Sequence, residues 1–78
     1  MPRKNIADIL PEPPDGTRLL LVDKIGLMYA AWRDDRQAAR EGHLGEPWFT
    51  DGDCLEWAEA VKYARAVYPV GDQPLAKL

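Results

Sequence analysis

The chain predicts a small α+β domain: an antiparallel β-β-β-α sheet with one C-terminal helix packed on a face. Three observations carry that expectation. An aliphatic run, Thr17–Val22, is bounded by turn residues; Asp23-Lys24-Ile25-Gly26 then suits a hairpin turn; and apolar residues recur at helical spacing between Leu55 and Tyr68. With 78 residues there is room for one core and no second.

Residues 1–16 read as an N-terminal arm. Asn5–Leu10 can form a helical turn, and Pro11, Pro13 and Pro14 then impose extended backbone before Asp15-Gly16 turns the chain. The compact domain is expected over 17–69. Leu27–Trp32 pairs with Thr17–Val22 as a hairpin, with Gly26 left-handed, although the Ala, Arg, Gln and Met content of 27–41 also suits a helix. Strand is the reading adopted for 27–33, followed by a loop or short helix over 34–42, where Gly42 is placed to end a helix. Glu46–Thr50 suits a third strand, confined to an edge or made irregular at its start by Pro47.

A helix is then expected over 54–67. Asp53 stands as N-cap with Glu56 three residues on, Leu55, Ala58, Val61, Ala64 (or Arg65) and Tyr68 recur at helical spacing, and Pro69 stops the run. Glu56 and Glu59 early, with Lys62 and Arg65 late, match a helix dipole. Residues 70–78 read as a loose tail. Both faces of Thr17–Val22 are apolar, so the face away from the helix needs a cover, either the arm or a partner protein.

Charge is segregated along the chain. Glu41, Glu46, Asp51, Asp53, Glu56 and Glu59 give 41–59 six acids and no Lys or Arg, against −3 for the whole protein; 1–40 carries +1 and 60–78 carries +2. An acidic segment repels nucleic acid and attracts basic protein surface. The alternative is a solvated loop leading into an ordinarily charged helix N-terminus. Trp48, Phe49 and Trp57 lie within the segment. A domain this small does not easily bury Trp32, Trp48 and Trp57 together, so Trp48 is expected as a partly exposed anchor for a partner. The expected partner-binding set is therefore Glu46, Trp48, Asp51, Asp53, Glu56, Trp57 and Glu59.

Several chemistries are disfavoured. The chain holds no serine, no Gly-x-Gly-x-x-Gly fingerprint and no phosphate loop ending in Gly-Lys-Ser/Thr. One His and one Cys do not make a Cys/His zinc site. Cys54 and His43 suggest a thiolate–imidazolium pair only if Asp53 and Glu56 do not oppose it; a buried structural thiol and a surface imidazole are expected instead. Asp51-Gly52-Asp53 with Glu56 lacks calcium-loop spacing and reads as a turn and cap. Arg3, Lys4, Arg33, Arg36 and Arg40 are diluted by Asp34 and Asp35, so direct nucleic-acid binding is not expected. A single cysteine suits a reducing compartment, the longest apolar run (Leu19–Val22) is far below a membrane span, and the N-terminus lacks a signal-peptide core. A cytoplasmic, non-enzymatic protein without cofactor or metal is the expectation.

The stretch Glu12-Pro13-Pro14-Asp15-Gly16-Thr17-Arg18-Leu19-Leu20-Leu21-Val22, then a hairpin, Trp32-Arg33-Asp34-Asp35, and Glu46-Pro47-Trp48-Phe49, resembles small phage and prophage proteins of unassigned function. Such proteins combine a Pro-Asp-Gly turn, an aliphatic hairpin and a Trp-containing strand. They end in a short Trp/Pro strand, whereas here a helix is expected; the departure leaves Val61–Tyr68 open as a strand. The resemblance covers 12–50 and implies genomic context: short acidic phage proteins are often inhibitors of host machinery, anti-CRISPR proteins among them. By that analogy the 41–59 face would occupy the basic groove of a nucleic-acid-binding protein or CRISPR effector subunit. The competing expectation is a phage structural or assembly adaptor, or a homodimer, that associates through the second apolar face of the hairpin.

Overall fold

The computed structural model describes residues 5–69 and 76–77. An antiparallel sheet is built from β1 (Arg18–Asp23), β2 (Met28–Arg33), β3 (Trp48–Thr50), β4 (Asp53–Leu55), β5 (Ala64–Pro69) and the two-residue β6 (Ala76–Lys77), in the order β4-β3-β2-β1-β5-β6. Two short helices, α1 (Asp35–Arg40) and α2 (Trp57–Ala60), and a 3-10 turn at Ile6–Asp8 complete it. The α+β class with an antiparallel sheet is therefore as the sequence indicates.

The hairpin forms with Leu19 opposite Ala31 and Leu21 opposite Tyr29. Its turn is closed by Asp23, whose Oδ1 accepts from the Ile25 and Leu27 amides at 3.0 and 2.9 Å. Gly26 has φ +87°, the left-handed conformation that its lack of Cβ makes cheap. Asp34 caps α1 by accepting from the Gln37 amide at 2.9 Å, and Gly42 follows the helix with φ +76°.

The helix expected over 54–67 does not form. Asp53, expected as an N-cap, lies in β4 opposite Thr50; only Trp57–Ala60 is helical; and Ala64–Pro69 is a strand on the free edge of β1. Leu20 pairs with Tyr68 and Leu21 with Val67, so an extended ladder to the most aliphatic strand outweighs local helix preference. The β-β-β-α arrangement gives way to five antiparallel strand pairings and two helical insertions. Of the 70–78 tail, Ala76–Lys77 pairs with β5, and the remainder lies outside the described residues.

Alternation along the strands sorts the sheet into two faces. Leu19, Leu21, Ala31, Trp48 and Val67 point to the covered one, where Ile6, Trp57, Ala60, Val61 and Ala64 complete the core. Both the arm and α2 thus cover the same face. The opposite face presents Leu20, Met28, Ala30 and Trp32; among the described residues no helix is laid across Leu20 or Met28, which are exposed.

Polar groups fasten the arm in place. Trp57 Nε1 donates to the Leu10 carbonyl at 3.1 Å, and Trp48 Nε1 donates to Glu12 Oε2 at 2.8 Å. Arg33 donates from Nη1 to the Pro13 carbonyl and makes a two-pronged pair with Asp35 at 2.8 and 3.0 Å. The Asp35 amide in turn donates to Asp15 at 2.9 Å.

Candidate functional site

The acidic residues do not form a single patch. Asp51 and Asp53, on the β3–β4 turn, converge with Glu59 of α2 and with Asp23 at the end of β1 on a cleft of about 470 Å³. Thr50, Leu55, Ala60, Tyr29 and Tyr63 complete its lining, and among the described residues no Lys or Arg contributes to it. The convergence follows from topology. Asp23 continues the inward Leu19–Leu21 alternation past the end of the core, Asp53 pairs with Thr50 on the same side of the sheet, and α2 brings Glu59 across. Asp23 and burial both act on Tyr29: loss of water around the phenol first, and the carboxylate second, push its pKa above the ordinary value.

Glu46 and Glu56 lie elsewhere. Glu46 is on the exposed loop before β3, with Oε1 3.4 Å from His43 Nδ1. Glu56 lines a separate groove with Glu12, Arg33, Asp35 and Trp57.

The tryptophan anchors are corrected. Trp48 is 0% exposed and Trp57 is buried beside it, with ring centroids 4.9 Å apart and planes tilted by 42°. An edge-rich contact of this kind belongs to a core. Both indole N–H groups are satisfied within the chain, so neither has a donor left for a partner. The aromatic that does present itself at the acidic cleft is Tyr63, 66% exposed, with Lys62 Nζ 5.6 Å from its ring centroid. Sequence reasoning placed Tyr63 in a helix and passed over Asp23; strand alternation from Leu19 was the signal that could have found Asp23.

Cys54 is in β4, half-buried, and not at a helix N-terminus. Desolvation, then Glu41, Glu46 and Asp53, raises its pKa, so the thiol stays protonated and a poor nucleophile at neutral pH. Among the described residues no group of three or more His, Cys, Asp or Glu side chains is arranged to hold a metal.

A second cleft, about 460 Å³, lies toward the opposite end of β1. Arg18, Arg36, Arg40 and Trp32 line it, together with Asp15, Gly16, Arg33 and Asp34. Trp32 stacks on Phe49 with centroids 6.2 Å apart and planes 20° from parallel. Arg18 and Trp32 also line a more apolar groove that runs on to Leu20 and Ala30 along the open sheet face. No family model, curated protein or solved structure matches the chain.

Proposed function

We propose that the protein is a non-enzymatic binding inhibitor of host defence machinery, anti-CRISPR-like, acting in the bacterial cytoplasm. It docks its acidic edge on the basic, nucleic-acid-binding surface of a protein such as a CRISPR effector subunit. One observation carries the reading: Asp23, Asp51, Asp53 and Glu59 line one cleft that, among the described residues, has no Lys or Arg in its lining. Four clustered carboxylates raise the encounter rate with a basic groove and repel nucleic acid, in a salt-dependent way. Tyr63 takes the apolar anchoring role that the buried Trp48 and Trp57 do not fill. Glu46 and Glu56, on other parts of the surface, are peripheral to this contact.

The strand Ala64–Pro69 replaces the helix expected there; it carries Pro69 but no Trp, so it meets only part of the short Trp/Pro strand of the phage-protein pattern. Among the described residues no helix is long and apolar enough to cross a membrane.

The test is a tagged pull-down from bacterial lysate containing CRISPR effector complexes, washed at low and at high salt. The reading expects a basic complex that is captured at low salt, is shed at high salt, and is lost on Asp51→Lys with Glu59→Lys. Equal capture by that double variant at low salt would rule out the acidic edge. A second reading, a phage assembly adaptor, is favoured by the exposed Leu20 and Met28 on the open face. It expects apolar association that persists at high salt.

A further inference from the structure

The arginine cleft and the acidic turn are complementary, and they lie toward opposite ends of β1 on opposite faces of the sheet. Arg18 begins that strand on the open face and Asp23 ends it on the covered side. Five residue steps separate them by roughly 17 Å along the strand. One copy therefore cannot fold its own turn into its own cleft without breaking the sheet.

Most other charges near the cleft are occupied within the chain. Arg33 is held by Asp35, Asp34 caps α1, and Asp15 accepts from the Asp35 amide. Among the described residues, the arginine–carboxylate pairs form only at Arg33, which leaves Arg18, Arg36 and Arg40 without a carboxylate partner there. Asp51, Gly52 and Asp53 are all exposed, and the space around the Gly52 Cα is open. The turn therefore projects from the β3–β4 hairpin with two adjacent carboxylates and no internal hydrogen-bond partner for either among the described residues.

We infer that the cleft lined by Arg18, Arg36, Arg40 and Trp32 receives the Asp51-Gly52-Asp53 turn of a second copy of this chain. Planar guanidinium groups bind carboxylates in two-pronged geometry, so three arginines match two aspartates. Magnitude favours a short acidic turn over a polyanion. With Asp15 and Asp34 also in the lining, and Arg33 neutralised by Asp35, the cleft's excess charge is only about +1, whereas nucleic-acid sites typically engage several phosphates. The contact is head-to-tail, so each copy keeps one free turn and one free cleft, and association is open-ended and weak. It is independent of the proposed inhibitor role, although self-association and docking on a basic partner compete for the same turn.

Sedimentation of the full chain tests this, over a concentration series at about 0.1 M and about 1 M salt, between which the screening length falls from roughly 10 to 3 Å. The expected result is association at the lower salt that weakens by about tenfold or more at the higher. Two variants should each be monomeric: Arg36→Gln with Arg40→Gln, and Asp51→Asn with Asp53→Asn. All four side chains are exposed, and circular dichroism with a thermal melt checks that both variants stay folded. Mixed in equal amounts, the two variants should form a dimer and nothing larger, because one supplies the only intact turn and the other the only intact cleft. A monomer at all concentrations, association that is unchanged by salt, or variants that associate like the parent would overturn the inference. So would a monomeric parent that binds a labelled single-stranded oligonucleotide through Arg36 and Arg40.

Discussion

Replacing Ile6 by Ala tests whether the N-terminal segment belongs to the fold. Ile6 is 0% exposed and packs into the main core beside Leu19, Leu21 and Val67, although a triple-proline run separates it in sequence from every strand. Ile→Ala removes three carbon groups, which at about 0.8 kcal/mol each gives roughly 2.4 kcal/mol of transfer free energy. The cavity left behind brings the expected cost to about 3 kcal/mol, within the usual 2–5. A domain of this size has on the order of 4–12 kcal/mol of stability in total. The loss is therefore a large share, and it should lower the melting temperature by roughly 12–24 °C. Ile9→Ala is the internal control: Ile9 is in the same segment but 45% exposed, and its replacement should cost under about 1 kcal/mol. Thermal and urea unfolding of both variants, followed by tryptophan fluorescence, measures the difference. If Ile6→Ala and Ile9→Ala melted within a degree or two of the parent, the segment would be an independent arm and the stapling by Trp57, Trp48 and Arg33 would have no energetic meaning.

Two further outcomes follow from the ionisable groups. The Asp35 carboxyl is held below its ordinary pKa, first by the hydrogen bond from Arg33 and also by that cation's charge, while desolvation opposes both. A folded-state pKa below the unfolded one contributes stability that is present above the unfolded value, near pH 4, and is lost as pH falls through the folded value. Melting temperature should therefore decline on acidification below about pH 4, and Asp35→Asn should make that decline shallower. For Cys54, whose pKa is raised by desolvation and neighbouring carboxylates, reaction with a thiol-specific disulfide reagent should be slow at pH 7. The rate should still be climbing at a pH where an ordinary thiol, with pKa about 8.5, has levelled off; an early plateau would contradict the protonated-thiol assignment. Cys54→Ala should leave both fold and partner binding intact.

How much was legible in the sequence depends on whether each signal was local. The β1–β2 hairpin was, because Asp23 and Gly26 specify the turn through side-chain acceptance and left-handed backbone, whatever else the chain does. For α1 the reading was partial: Gly42 marked a helix end, but 34–42 stayed open between loop and short helix, and the Asp34 cap was passed over. The 53–69 region was not legible, because its residues satisfy a helix on every local test: spacing, charge order and a plausible cap. What decides it is a non-local fact, that β1 offers a free aliphatic edge from Leu19 to Asp23 and residues 64–69 satisfy it. Val67 and Tyr68, good strand residues, fit that ladder, and the helix contracts to the four residues that lay Trp57 and Ala60 on the core. The tryptophan expectation failed for a related reason. Volume alone argued that three indoles crowd so small a core, but the extended Leu10–Glu12 segment supplies the Leu10 carbonyl to Trp57 and the Glu12 carboxylate to Trp48, so both indoles are buried without an unsatisfied donor.

The partition of charge follows from the same alternation that built the sheet. Along β1, Arg18, Leu20 and Val22 face one way and Leu19, Leu21 and Asp23 the other, so the strand carries a cation at one end of its open face and an anion at the opposite end of its covered face. The β3–β4 turn and α2 add carboxylates at the Asp23 end, and α1 adds Arg36 and Arg40 at the Arg18 end. A net charge of −3 hides this separation. Contact with a basic partner or with another copy is then governed by which end is presented. High salt should weaken both contacts, while loss of the arginines should remove only the second.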